Sequence, residues 1–290
     1  MNRRRSLQEL ATVGVAACAF GCQAQPDESA EFGSQETPIA QAGAAGGMGR
    51  SSGGEPSTSG AAGAGGSKAS WPGPFPGPAG EPGSTAIALD DERIVGWGTA
   101  WLDPVDYGQN VDEEWQHPEL ALGAATGNTF DVVSLGNGGS ITLTFDNPIR
   151  DGSGFDFAVF ENGHVDTFLE LGFVEVSSDG TSFVRFESTY LGVEPVNQYG
   201  AHDTTLIDGL AGKYRVGFGT PFDLATLCAH PLVVSGAVDL QVITHVRILD
   251  IIGDGREQDS QGRLIYDPYP TVGSGGFDLE AIAVLNAADD

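Results

Sequence analysis

The chain has 290 residues with 40 acidic and 13 basic side chains, which gives a formal net charge of -27. Such a charge repels phosphate backbones, so we expect no nucleic acid among its partners. Apolar residues at 40% and aromatic residues at 9% can supply a hydrophobic core, which excludes a chain that is disordered throughout. The excess of carboxylates indicates either cation binding or solubility in an extracellular medium.

Residues 1–22 have the parts of a bacterial secretory signal. Arg3, Arg4 and Arg5 form a basic start, and a short apolar run follows that is too short to span a bilayer. Cys18 and Cys22 each end a segment that resembles the lipobox of bacterial lipoproteins, in which the cysteine is acylated. We therefore expect export and a lipid anchor at the cell envelope, at the outer membrane or cell surface. Cleavage without lipid attachment remains the alternative.

Residues 23–83 are predicted to be a low-complexity tether rich in Gly, Ala, Ser and Pro. Between Ala42 and Ser67 the only side chain larger and more apolar than alanine is Met48. Such a segment buries too little surface to offset the entropy of ordering it. Its last part, from Trp71 onward, is rich in proline and is predicted to form a stiff, polyproline-like connection to the domain.

Residues 84–290 are predicted to form an all-β domain. Ser140–Phe145 alternates strictly between apolar and polar side chains, which is typical of a strand with one face on a core. No long amphipathic helix is evident, and helical turns are expected only near Pro118–Ala121 and Phe222–Leu227. Further predicted strands are Asp131–Leu135, Phe155–Phe160, Phe173–Ser177, Phe183–Phe186, Tyr214–Phe218, Thr244–Ile252 and Phe277–Leu285. These many short strands predict a jelly-roll-like, two-sheet β-sandwich.

Two hairpins are predicted from the turn residues. Gly136–Gly139 would join Asp131–Leu135 to the strand that begins at Ser140, and Ser178-Asp179-Gly180 would join the strands on either side of it. The third cysteine of the chain, Cys228, has no expected partner, so no disulfide framework is predicted.

Several motifs of the domain resemble an uncharacterised family of bacterial exported cell-surface proteins. They include Val133-Ser-Leu-Gly-Asn-Gly-Gly-Ser-Ile-Thr-Leu143, Phe157-Ala-Val-Phe-Glu-Asn162, Val174-Glu-Val-Ser-Ser-Asp-Gly180 and Gly275-Gly-Phe-Asp-Leu279. The resemblance covers about residues 94–286 and implies export, but it implies no activity. The tether is similar to those of myxobacterial lipoproteins.

The acidic and amide side chains near strand ends are candidate calcium ligands. Calcium binds several carboxylate and carbonyl oxygens, often in loops between strands. A Gly-containing acidic loop is predicted to follow the strand that ends near Asp250. The candidate ligands are Glu161, Asn162, Asp250, Asp254, Asp259 and Asp278. The alternative is that these side chains cap turns by accepting hydrogen bonds from backbone amides.

Four aromatic residues early in the domain are candidates for a sugar-binding platform. Trp97, Trp101, Tyr107 and Trp115 offer flat apolar surfaces on which a pyranose ring can stack. The alternative is that they pack in or beside the core.

Two functions from different classes fit these features. The first is a cell-surface-tethered, non-catalytic binding module, with or without a stabilising calcium ion, whose ligand is a glycan or an envelope component. The second is an extracellular, calcium-dependent polysaccharide hydrolase or lyase. A shallow aromatic face favours the first function, whereas a cleft between two facing carboxylates favours the second.

Overall fold

A computed structural model of the protein describes residues 73–288. The predicted signal peptide, Cys18, Cys22 and the predicted tether up to residue 72 lie outside the described residues. The described chain consists mainly of antiparallel strands with a few short helical turns, which confirms the prediction of an all-β domain.

The strands occur throughout the described residues. In chain order they are β1 (Ile87–Ala88), β2 (Gly96–Trp97), β3 (Ala100–Trp101), β4 (Val133–Ser134), β5 (Ser140–Ile149), β6 (Phe157–Glu161), β7 (Gly172–Ser177), β8 (Val184–Arg185), β9 (Thr189–Tyr190), β10 (Ile207–Asp208), β11 (Phe218–Phe222), β12 (Ile243–Asp250), β13 (Asp254–Gln258), β14 (Leu264–Tyr266) and β15 (Asp278–Val284).

Two large antiparallel sheets form the sandwich. The first has the order β1-β11-β6-β15-β2, and β4 pairs with β15 as well. The second has the order β3-β5-β12-β7-β8. The pairs β9–β10 and β13–β14 form two smaller sheets. All five residues of β13, Asp254–Gln258, belong to the segment predicted to be an acidic loop.

The main core lies between the two large sheets. Ile141 and Leu143 of β5 are buried, as their alternation with polar residues predicts, and they belong to the same apolar cluster as Phe157 and Val159 of β6. The central strands β6 and β15 of the first sheet are buried at every position, because a second apolar cluster covers the outer face of that sheet. Polar residues at the ends of β6 and β15 are therefore buried as well.

The hairpin predicted between residues 131 and 145 is wrong. Here β4 pairs with β15, whereas β5 pairs with β3 and β12 of the other sheet. The turn residues Gly136 and Gly138 adopt positive φ angles of 76° and 82° and carry the chain from one sheet to the other. Leu135 continues the β4 contacts by donating its backbone N–H to the carbonyl of Phe277, at 3.0 Å.

The second predicted hairpin is confirmed. β7 and β8 pair with Val176 opposite Val184, and the turn between them is held by the carboxylate of Asp179. Asp179 Oδ1 accepts hydrogen bonds from the backbone N–H groups of Thr181 and Ser182, at 2.8 and 2.7 Å. This turn requires a short polar side chain that accepts hydrogen bonds from the backbone two or three residues further on.

The helices of the described chain are short. Helical turns of the 3-10 type occupy Pro118–Ala121 and Leu224–Leu227, as predicted, and one α-helical turn, α1, covers Pro231–Val234. Within residues 73–288, no helix is long and apolar enough to cross a membrane.

The segment 73–83, which is predicted to be the end of the tether, contacts the domain. The backbone N–H groups of Gly73 and Phe75 donate to Thr205 Oγ1 and to the Thr205 carbonyl, at 2.9 and 3.1 Å. Further along, Arg215 donates a hydrogen bond to the carbonyl of Ala79, at 2.9 Å. These bonds fix where the preceding chain joins the domain.

Candidate functional site

A pocket of about 310 Å³ opens at the edge of the first sheet where β6 ends and β15 begins. Its walls come from loops that are far apart in the sequence, including the segments around residues 115, 130, 199 and 272. Ligand pockets have volumes of roughly 300–1,000 Å³, so this one is at the lower end of the range. Its lining includes Trp115, Phe130, Asn162, Glu170, Tyr199 and Asp278.

The rim of the pocket is apolar and exposed. Phe130, Tyr199 and Val272 are 67%, 78% and 62% exposed. The rings of Trp115 and Phe130 stack with their centroids 6.4 Å apart and their planes 30° apart. Exposed apolar side chains that gather around a concavity are typical of a binding surface.

The floor of the pocket is acidic and buried. Glu161 is the last residue of β6, and Asp278 is the first residue of β15, so the pairing of these strands places both at one edge of the sheet. Their exposed fractions are 1% and 4%. Asp278 and the buried Glu170, just before β7, line the pocket, whereas Glu161 lies at the adjoining strand end.

Each of the two strand-end carboxylates has one oxygen that accepts a hydrogen bond and one that has no hydrogen-bond partner among the described residues. Glu161 Oε2 accepts the backbone N–H of Gly163 at 2.8 Å, and Asp278 Oδ2 accepts Asn162 Nδ2 at 2.9 Å. The other oxygens, Glu161 Oε1 and Asp278 Oδ1, are buried and have no hydrogen-bond partner among the described residues. An unpaired buried carboxylate oxygen is costly, which makes the pair unusual for a structural core.

Burial raises the pKa values of these acids. Burial and then the charge of Asp278 hold the pKa of Glu161 well above its usual range. The pKa of Glu170 is raised well above its usual range by burial and then by the charges of Asp278 and Glu161. Burial raises the pKa of Asp278 to about 7. The site is therefore suited to a group that compensates negative charge.

Two further buried acids support the floor. Asp250 accepts the backbone N–H of Phe277 at 2.7 Å and that of Gly138 at 2.6 Å, and both oxygens of Asp267 lie 3.1 Å from the backbone nitrogen of Leu171. Because Phe277 and Leu171 directly adjoin Asp278 and Glu170, these bonds fix the backbone beside the pocket carboxylates. Asp250 and Asp267 are positioning residues.

The structure separates the six predicted calcium ligands. Asn162 and Asp278 line the pocket, and the amide nitrogen of Asn162 donates a hydrogen bond to Asp278. Glu161 lies at the adjoining strand end, and Asp250 accepts a hydrogen bond from the backbone of Phe277 beside Asp278. Asp254 binds Arg256 on the surface, in β13 rather than in a loop. Asp259 accepts hydrogen bonds from the backbone of Tyr190 and from the Arg263 side chain. These last two side chains cap and pair as the alternative reading of the sequence describes.

The four predicted platform aromatics do not share one surface. Trp97 packs against Phe160 on the outer face of the first sheet, with ring centroids 5.6 Å apart. Trp101 and Tyr107 pack against the core between the sheets. Only Trp115 of the four lines the pocket. Its aromatic neighbours there, Phe130 and Tyr199, lie in loops with no pattern that predicts them from the sequence.

A second acidic group lies away from the pocket lining. Within residues 73–288, Asp151, Asp156 and Asp223 are the three acidic side chains whose oxygens all lie within 4.8 Å of one another. Asp156 accepts hydrogen bonds from the backbone of Gly152 and Leu224, at 2.8 and 2.7 Å, and from Asn286. Burial raises the pKa of Asp156 to about 6. This carboxylate already has partners for its charge.

No protein-family model matches the chain, and no curated protein matches it either. The resemblance to exported cell-surface proteins therefore stays a prediction from the motifs.

Proposed function

We propose that the protein is a cell-surface-tethered, non-catalytic binding module whose pocket takes a glycan of the cell envelope or its surroundings. The observation that carries the proposal is the exposed apolar rim of Phe130, Tyr199 and Val272 around a polar floor. The predicted signal peptide and lipid anchor at Cys18 or Cys22 would hold the domain on the membrane through the tether.

A glycan fits the chemistry of this pocket. Sugar rings present apolar faces that stack on aromatic side chains, and their hydroxyl groups donate hydrogen bonds to carboxylate and amide oxygens. The pocket offers both kinds of surface, with Trp115 and Phe130 on one side and Asn162, Glu170 and Asp278 below. A polyanionic ligand is disfavoured because the floor is acidic.

Binding to an array of defined oligosaccharides tests the proposal. For any oligosaccharide that binds, Phe130→Ala and Tyr199→Ala are each expected to weaken the affinity roughly tenfold, because exposed aromatic contacts at a binding centre contribute about 1–2 kcal/mol. Both residues are largely exposed, so the folded domain should keep its stability. Val193→Ala is the matched control, because Val193 is 78% exposed and does not line the pocket.

Two outcomes would contradict the proposal. One is that no oligosaccharide binds. The other is that Val193→Ala weakens binding as much as the two rim variants do, since binding would then not depend on the pocket.

A polysaccharide hydrolase is the second candidate, because two carboxylates, Glu170 and Asp278, line the same pocket. Glycoside hydrolysis needs one protonated acid and one ionised carboxylate. Here the pKa values of both are raised by burial, which favours binding over catalysis. Release of new reducing ends from a bound polysaccharide, abolished by Glu170→Gln, would instead establish catalysis.

A further inference from the structure

Two carboxylates at this end of the sheet, Asp278 in the pocket lining and Glu161 at the adjoining strand end, each have an oxygen atom without a hydrogen-bond partner among the described residues. Glu161 Oε1 and Asp278 Oδ1 are both buried and unpartnered in the described residues, and both belong to side chains that are more than nine-tenths buried. Each carboxylate uses its second oxygen to accept a hydrogen bond, from Gly163 and Asn162 respectively. The carboxylates are thus held in place with one oxygen still available.

The carboxylates at the pocket have no ion-pair partner within the described part of the chain. Within residues 73–288, no Lys, Arg or His side chain makes an ion pair with Glu161, Glu170 or Asp278. The acidic partners that arginines do have are Asp91, Asp166, Glu175, Asp254 and Asp259. The buried acids of the pocket therefore lack a protein counter-charge, and such groups either bind a cation or take up protons.

We propose that a calcium ion binds at the floor of the pocket, held directly by Asp278 Oδ1 of the lining and by Glu161 Oε1 of the adjoining strand end. Oxygen is the ligand type that hard divalent cations prefer, and calcium tolerates irregular arrangements of carboxylate, carbonyl and water oxygens. Two carboxylates supply the charge, and Glu170 in the same pocket lining adds to the negative field around the ion. The inference stands whether or not the pocket ligand is a glycan.

The Asp151–Asp156–Asp223 group is a less suitable cation site, although its oxygens lie close together. Three N–H groups already donate to the carboxylate of Asp156, so that side chain is satisfied without an ion. Glu161 and Asp278, in contrast, each have an oxygen that lacks a partner among the described residues. Asp151 is half-buried, which makes Asp151→Asn a control that removes a charge from this second group with little effect on packing.

Thermal unfolding of the purified full-length protein, after chelation and with calcium chloride added stepwise, tests the proposal. At a hundredfold excess over the dissociation constant, the midpoint of unfolding is expected to rise by on the order of 5–10 °C. Asp278→Asn and Glu161→Gln should each abolish the rise. Both variants keep an oxygen that can accept the existing hydrogen bond, and a cooperative metal-free transition shows that they are folded. Asp151→Asn should respond like the wild type.

The proposal is overturned if the wild-type midpoint does not respond to calcium. It is also overturned if Asp151→Asn loses the response while Asp278→Asn keeps it, because the ion would then bind at the second acidic group. The unfolding measurements are made without sugar, so a failure of the calcium site can be distinguished from a failure of glycan binding.

Discussion

Metal-free protein is expected to lose about 3 kcal/mol of unfolding free energy through Asp250 alone when the pH rises from 5 to 8. Burial raises the pKa of Asp250 from its ordinary value of 3.8 to about 7. At pH values between 3.8 and about 7, Asp250 keeps its proton in the folded protein and has lost it in the unfolded chain. Protonation of Asp250 therefore favours folding. This contribution is fully present below pH 3.8 and is lost as the pH rises to about 7.

Urea unfolding at pH 5 and pH 8, with chelator present, measures this effect. The other buried carboxylates contribute to the pH dependence of wild type and variant alike, so the informative quantity is the difference between the wild type and Asp250→Asn. The variant cannot titrate at residue 250 and should lose about 3 kcal/mol less over this range. An equal pH dependence in the two proteins would show that Asp250 does not carry a proton in the folded state.

Phe157→Ala is expected to lower the unfolding free energy by about 3–5 kcal/mol. Phe157 is completely buried between the two sheets and stacks on Phe222, with ring centroids 5.2 Å apart, and also contacts the ring of Phe186. Its removal leaves a cavity that neither sheet can close easily. The midpoint of urea unfolding measures the loss, provided that the slope of the transition stays constant.

Phe130→Ala is the matched control for this prediction. It removes the same side chain from a position that is 67% exposed, so we expect a change within about 0.5 kcal/mol. If Phe157→Ala costs less than about 1 kcal/mol, the aromatic cluster does not lie in a close-packed core between the sheets.

The strands that could be predicted are those with a clear local pattern. β5 alternates apolar and polar side chains along Ser140–Phe145, and one face of it is buried as expected. The pairing of β4 could not be predicted, because Gly136–Gly139 is a turn signal for a hairpin and for a crossing between sheets alike. Contacts between strands that are distant in the sequence decide between the two, and no local sequence pattern predicts these contacts.

Part of the candidate site was accessible from the sequence. Glu161, Asn162 and Asp278 are polar residues at the ends of apolar strands, and such positions are where side chains can converge at a sheet edge. Glu170 was missed because it lies between two leucines with no turn signal beside it. Phe130 and Tyr199 were missed because they are single aromatic residues in loops that meet only in the folded domain.

Terbium luminescence tests the central claim most directly, because Tb³⁺ replaces calcium at oxygen sites and emits when a nearby tryptophan is excited. Trp115 lines the pocket with Asp278, so the full-length protein should show sensitised emission that calcium displaces. Asp278→Asn should abolish this emission, Trp115→Phe should weaken it, and Asp151→Asn should leave it unchanged. Emission that survives Asp278→Asn and disappears in Asp151→Asn would contradict a cation site at the floor of the pocket.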